Sequence, residues 1–214
     1  MSFEQKGQYR WVVCALLFFA TTVNYIDRQI LALIKEFLDA ELGWSNATFG
    51  WVNGAFQLSY AVGLLFFGWF VDRFGTKIGY ATSIVLWSIA AMSHALVGSV
   101  NGFFAARVFL GVSEGGNFPA AIKAVALWFP KKERAFATAI FNAGTNVGAI
   151  IAPAMIPAIA LTFGWRWAFI LAGLGVSLAV LPAEARDLIL AGAIISILVN
   201  PLLMELLDRL PIWP

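Results

Sequence analysis

Charge is what this sequence has least of. Lys and Arg number 14 and Asp and Glu 12, together 12% of 214 residues, about half the share of an ordinary soluble domain. That scarcity excludes a fully solvated surface, because 61% of the chain is hydrophobic and the apolar surplus has nowhere to go in water. A net charge of +2 argues against a nucleic-acid partner. The single cysteine, Cys14, cannot form an intrachain disulfide. With one cysteine and one histidine, His94, the chain offers no metal cluster and no nucleophile–base set, so neither a cofactor nor an enzyme is expected. No small-residue cleavage site follows the first apolar run, which therefore reads as a retained helix rather than a signal peptide.

Long apolar runs are what the chain has instead. A helix needs about 20 apolar residues to cross the hydrocarbon core. Trp11–Leu33, broken only by Asp27 and Arg28, is the first such run, and Ala47–Phe70 the second. Ile78–Ala106 carries no charge and must include a turn near Gly98–Gly102. The fourth run covers Asn101–Trp128 and the fifth lies within Ala135–Trp165. Trp167–Ala183 and Leu188–Met204 are shorter candidates for a sixth and a seventh. The expectation is an all-α integral membrane bundle of six or seven spans in a lipid bilayer. Lys6, Arg10, Arg73, Lys77, Lys131, Lys132 and Arg134 fall between alternate spans, against only Lys35 and Arg166 on the other side. This bias places the N-terminus in the cytoplasm and the acidic loop Lys35–Gly43 outside.

Besides Lys123 near the end of the fourth run, four charges nevertheless fall inside the spans: Asp27, Arg28, Arg107 and Glu114. Each costs at least about 2.5–3.5 kcal/mol to insert, which marks a functional site by default. Counting from the span ends, the two arginines share a level in the outer third, with Glu114 two turns deeper on the Arg107 face. One reading is a polar cavity between the first and fourth helices, where two guanidiniums grip an anion and Asp27 and Glu114 take up protons. The other is that four charges of zero sum neutralise one another and lock two helices. In the fifth span, Gly144 and Gly148 have the spacing of close helix packing. Asn142, Thr145 and Asn146 share a face near them, and Thr145 and Asn146 are candidate substrate contacts.

Two other patterns carry less. Gly111-Val-Ser113-Glu-Gly115 matches a hydrolase elbow, but lies in a helical run with no triad histidine nearby. Asn46-Ala-Thr48 is a short sequon of a kind that arises often by chance. His94 reads as a packed residue rather than a proton relay.

Gly68-Trp-Phe-Val-Asp72-Arg73-Phe-Gly75-Thr-Lys77, between the second and third spans, resembles the GxxxDRxGxK/R signature of the major facilitator superfamily. Gly68 there reads as a close-approach position, Gly75 as a tight turn and Asp72 as a cap or partner of cytoplasmic helix ends. The resemblance makes Gly68, Asp72, Arg73, Gly75 and Lys77 a gating loop. Asn24-Tyr25-Ile-Asp27-Arg28, Arg107 through Pro119, Trp128 through Arg134, Phe141 through Gly148 and Gly164 through Phe169 resemble the anion:cation symporter family, closest to hexuronate transporters. That resemblance covers residues 8–170. It implies a proton-coupled symporter of a sugar acid in the cytoplasmic (inner) membrane. Arg28 would hold the substrate carboxylate, Tyr25, Tyr60 and Thr145 would line the sugar site, Asp27 and Glu114 would be the proton-linked acids, and Arg107 would pair with them or shape the cavity.

A complete member of that superfamily has two six-helix halves, so 1–170 corresponds to an N-terminal half and a C-terminal half is expected to be missing. Residues 171–214 form an atypical apolar tail. From Phe169 its wording is similar to a segment of the monovalent cation:proton antiporter-2 family, consistent either with a chimera joined near Phe169–Gly173 or with a divergent tail. The second functional reading is accordingly a membrane fragment that inserts without transporting.

Overall fold

The computed structural model describes residues 9–180 together with Gly7. Lys6, the candidate seventh span and the rest of the tail beyond Val180 lie outside the described residues. Eight helices follow one another: α1 (Tyr9–Leu33), α2 (Lys35–Leu42), α3 (Asn46–Phe74), α4 (Thr76–Ser93), α5 (Val100–Glu114), α6 (Asn117–Trp128), α7 (Arg134–Phe163) and α8 (Trp165–Val180). A 3-10 turn, His94–Leu96, prolongs α4. No strand occurs among the described residues.

Four of these are long and apolar enough to cross a membrane: α1, α3, α4 with its turn, and α7. They coincide with the first, second, third and fifth expected spans. The fourth is not one helix. It is broken after Glu114 into α5 and α6, with Gly115 and Gly116 between them. Pro119 accounts for the break, since it has no N–H to donate to the carbonyl of Gly115 four residues earlier. The sixth, α8, has 16 residues.

A second difference concerns Lys35–Gly43, expected as a loop. It forms α2, which Gly43 ends in the left-handed region at φ 64° with its N–H on Asp39 O at 3.0 Å. Lys35 pairs with Asp39 one turn on. Leu38 inserts into the apolar cluster of Ile34, Trp44 and Phe103, so a segment with charges on most of its surface still helps close this end of the bundle. Glu41 latches it there. Its carboxylate accepts from Trp165 Nε1 at 2.6 Å and Arg166 Nη2 at 2.8 Å.

The chain turns where its glycines and caps allow. Ser45 Oγ accepts from Thr48 N at 3.0 Å to start α3, and Ser99 Oγ accepts from Gly102 N at 3.2 Å to start α5. Gly75, at φ 86°, turns the chain from α3 into α4 as its place in the loop motif implied.

Packing is closest between α1 and α7 and between α3 and α5. Gly144 and Gly148 lie against the α1 backbone, where a methyl group on Gly148 would stand 2.7 Å from Thr22 O. These glycines let the two helix backbones approach closely, and Cys14 Sγ of α1 donates to Ala137 O of α7 at 3.6 Å. Gly115 abuts the backbone of Gly63 in the same way. Gly68 does not do so. A methyl group there meets nothing within 4 Å, so the close approach expected at Gly68 is made by Gly63 and Gly79 instead.

The difference between the glycines is measurable. Gly148→Leu should destabilise the detergent-solubilised chain by about 1–3 kcal/mol, the usual cost of overpacking. Gly68→Ala should leave its thermal unfolding unchanged. The α2 latch makes a separate prediction. Partial burial pushes the Glu41 carboxyl up, but the donors on Trp165 and Arg166 and the Arg166 charge outweigh this and hold it below its ordinary value. A lowered carboxyl stabilises the fold above the unfolded-state value and loses that contribution as pH falls through the folded-state value. Trp165 fluorescence should therefore report the latch loosening below about pH 4.5, and Glu41→Gln should abolish that step.

Candidate functional site

The four intramembrane charges meet. α1 runs away from the Arg10 end of the bundle and α5 runs back toward it. Helical side chains lean toward the N-terminus of their own helix, so Arg28 and Glu114 lean toward each other from different depths. Arg28 Nε donates to Glu114 Oε2 at 3.0 Å. The guanidiniums of Arg28 and Arg107 both lie 5.6 Å from the Phe56 ring, so one aromatic side chain of α3 contacts both arginines.

Their environments differ. Arg28 is the open member, its side chain 28% exposed, while Glu114 is at 0%. The Tyr60 ring lies under the Arg28 guanidinium at 4.2 Å. Glu114 accepts from Nε, and the Tyr60 side chain hydrogen-bonds the same guanidinium. Arg107 is 1% exposed, close enough to interact with both Glu114 and Asp27. A ligand in this conformation reaches one guanidinium, not two. The grip expected from a pair of arginines is therefore divided: Arg28 faces the opening and Arg107 balances the acids behind it.

Asp27 is 1% exposed. Its Oδ2 accepts from Trp87 Nε1 on α4 at 2.6 Å. Asp27 Oδ1, Glu114 Oε1 and Nε and Nη2 of Arg107 are buried without a hydrogen-bond partner among the described residues. Asn24, also buried, faces Glu114 from one turn earlier on α1.

The other expected contacts are looser. Tyr25 is half-buried on α1, its Cβ beside Gly148 of α7. Thr145 Oγ1 donates to Asn142 O of its own helix at 2.8 Å, and Asn146 is exposed. Among the described residues no hydrogen bond joins Thr145 or Asn146 to the charge cluster. No three His, Cys, Asp or Glu side chains gather as a metal site among them either.

The gating-loop residues lie at the opposite end from α2. Asp72 Oδ1 accepts from Lys123 Nζ at 2.8 Å, and the same ammonium donates to Val71 O at 2.8 Å. The expected pairing of Asp72 is thus made to α6. Arg73 and Lys77 are exposed. At the same end Arg10 pairs with Glu133 at 3.1 Å, so the start of α1 and the connections α3–α4 and α6–α7 share one face of the bundle.

Ser113 of the hydrolase-like pattern sits inside α5, its hydroxyl donating to Phe109 O at 2.7 Å, which is no strand-to-helix elbow. His94 is buried, with Nδ1 on Ala90 O at 2.8 Å and its ring stacked on Phe169 at 4.7 Å, a packed residue. Trp87 and Lys123 are the partners that sequence reasoning missed. Neither stands out by spacing. Lys123 at least carries a charge inside a span, whereas a tryptophan in an uncharged apolar helix gives no polar signal.

Arg107 tests the electrostatic balance. Arg107→Met leaves two buried acids with one buried cation fewer, and removal of one partner of such a set costs about 3–5 kcal/mol. The expected outcome is a large fall in thermal stability of the solubilised chain, partly restored when Asp27→Asn is added.

Known proteins are similar to this chain in sequence and in fold. The family model for the Major Facilitator Superfamily matches residues 17–190. The hexuronate transporter of Escherichia coli (strain K12) is 37% identical over 164 residues, which is 77% of this chain and 38% of that protein. A probable galactarate/D-glucarate transporter, GudP, of Bacillus subtilis (strain 168) is 34% identical over 184 residues, 83% of this chain and 40% of that protein. The galacturonate transporter of Dickeya chrysanthemi is 32% identical over 171 residues, 80% and 49%. Among solved structures, a bacterial homologue of the human lysosomal transporter Spinster, inward-facing and occupied, superposes with a TM-score of 0.72 at 24% identity over 80% of this chain and 43% of that one. The xylose transporter XylE from E. coli, inward open, gives 0.68 at 17% identity over 96% and 58%. The chain thus spans about two fifths to one half of the length of these curated relatives. It is a multi-pass membrane protein with a partial major-facilitator fold, and it belongs to the Major Facilitator Superfamily.

Proposed function

We propose that the chain forms the N-terminal half of a proton-coupled symporter for an anionic sugar acid, in particular a hexuronate. On this reading it is a transport protein and not an enzyme. It resides in the cytoplasmic (inner) membrane with its N-terminus and its Arg10–Glu133 face in the cytoplasm. The observation that carries the reading is the partly exposed Arg28, held by Glu114 and Tyr60 at the margin of a buried charge cluster.

The coupling follows from competition and neutrality. Glu114 and a substrate carboxylate are rival acceptors for one guanidinium. Protonating Glu114 removes the rival, so proton and substrate favour each other's binding. Charge counting agrees. Asp27, Arg28, Arg107 and Glu114 sum to zero, and an added carboxylate leaves the buried cluster at minus one unless a proton enters with it. Tyr60, beneath the guanidinium, and Tyr25 and Thr145, toward α7, would flank the sugar. Asn146 would reach it from the exposed side of α7. Asp72, Arg73 and Lys77, with Gly68 and Gly75, would form the cytoplasmic gate against a second half. The names of the relatives support a sugar acid as substrate.

A second reading is favoured by the relatives' length, more than twice the matched part in all three cases. On that reading the chain inserts but completes no pathway by itself. Uptake of labelled glucuronate by expressing cells separates the two. Expected is uptake when the C-terminal half of a hexuronate relative is co-expressed, its loss on collapse of the proton gradient, and its reduction to background by Arg28→Ala. Uptake surviving Arg28→Ala would overturn the role of Arg28. No uptake in any combination would leave the fragment reading standing.

A further inference from the structure

Trp87 is the largest fully buried side chain among the described residues. Its ring packs with Ala20, Val23, Phe56, Ile84 and Leu110, a cluster drawn from α1, α3, α4 and α5. α4 otherwise packs mainly on α8 and α5, with little contact to α1. The one polar atom of this ring nevertheless reaches across to α1 and donates to Asp27 Oδ2 at 2.6 Å. Trp N–H is a donor only, so Asp27 Oδ2 accepts from it, a role that a carbonyl-type or ionised oxygen fills better than a hydroxyl oxygen. Oδ1, buried and without a partner, is the oxygen left free.

We infer that Trp87 is a positioning residue for the proton-linked carboxyl: it pins Asp27 Oδ2, fixes the side chain's rotamer and makes Oδ1 the oxygen that takes and releases the proton. This rests on the proposed reading of Asp27 as proton-linked and adds the group that sets how readily it titrates. The charged groups around Asp27 are Glu114 and Arg107 from α5 and Arg28 from its own helix. α3 supplies Tyr60, toward Arg28. On α4, His94 lies toward Arg107. α7 and α8 carry charges only at their starts, Arg134 and Arg166. Arg107 is a charge shared with Glu114, whereas Trp87 serves Asp27 alone and holds one oxygen by direction.

The test is an infrared pH titration of the purified chain in lipid, following the carboxylic-acid C=O stretch that Asp27→Asn removes. Two replacements are compared: Trp87→Phe, and benzothienylalanine at position 87, whose ring keeps the indole shape but has sulfur in place of N–H. Loss of a donor to a charged acceptor is expected to move the midpoint of the Asp27 band to higher pH by about one to two pH units. The benzothienylalanine form should keep the wild-type thermal unfolding. An unmoved midpoint in that form would overturn the inference, with the role of Asp27 intact. Loss of folding in that form marks a packing role for Trp87 and also overturns it. If Asp27→Asn removes no titrating band, the proton-linked reading of Asp27 itself fails, and the inference with it.

Discussion

Two acids and two bases buried in a helix bundle must neutralise one another, and most of the local structure around α1 and α5 is arranged to let them. An isolated charge in this setting costs several kcal/mol. Asp27 and Glu114 lie on different helices at different depths, whereas the positions of Arg28 and Arg107 along their spans put those two at a similar depth. Only antiparallel helices, with side chains leaning toward their own N-termini, bring the four together. Phe56 contacts both guanidiniums. An aromatic face is one of the few apolar surfaces that also attracts a cation, so the same ring seals the cluster from lipid and helps hold its positive members.

The approach distances are set by glycine. Gly115 lets α5 sit directly on α3 at Gly63, bringing Tyr60 of α3 beneath Arg28. Gly144 and Gly148 do the same for α7 against α1 at Thr22. The Gly115–Gly116 break, with Pro119 beyond it, comes immediately after Glu114. Glu114 therefore stands at the last residue of α5, where the helix dipole disfavours a carboxylate. That is an odd place for a permanently charged anion and a reasonable one for a group that must also exist protonated.

Much of this was legible from residue positions. The span pattern followed from apolar run length, and the proximity of Arg28 and Arg107 from a fixed rise per residue, because helix geometry is rigid enough to count on. The departures arise where tertiary contacts decide. Lys35–Gly43 reads as a polar loop, yet Leu38 and the Glu41 latch give it enough to fold against. Gly68 has the right identity for close packing but faces nothing among the described residues, since sequence spacing does not say which helix lies opposite. The family resemblance implied different roles for the two arginines, but their different burial could not be read from residue chemistry or depth. Both have the same chemistry and the same depth, and only the rotation of α1 relative to α5 exposes one and buries the other. Trp87 was invisible for a related reason: its bond to Asp27 crosses between two helices that otherwise scarcely touch.

The two acids are consequently not equivalent, although a charge count treats them so. Asp27 is held by a neutral donor that cannot move without opening the core around Trp87. Glu114 is held by Arg28, a flexible and partly exposed side chain that has other acceptors to choose from. A strained or exchangeable partner suits a group that must change state when a ligand arrives, and a fixed one suits a group whose affinity must stay constant through the cycle. On the proposed reading Glu114 is then the acid that senses the substrate, through competition for Arg28, and Asp27 the acid that senses the proton. Arg107 lies behind both, shared between them. On that reading a change in either carboxyl is felt by the other through that single cation, which links the proton site to the substrate site.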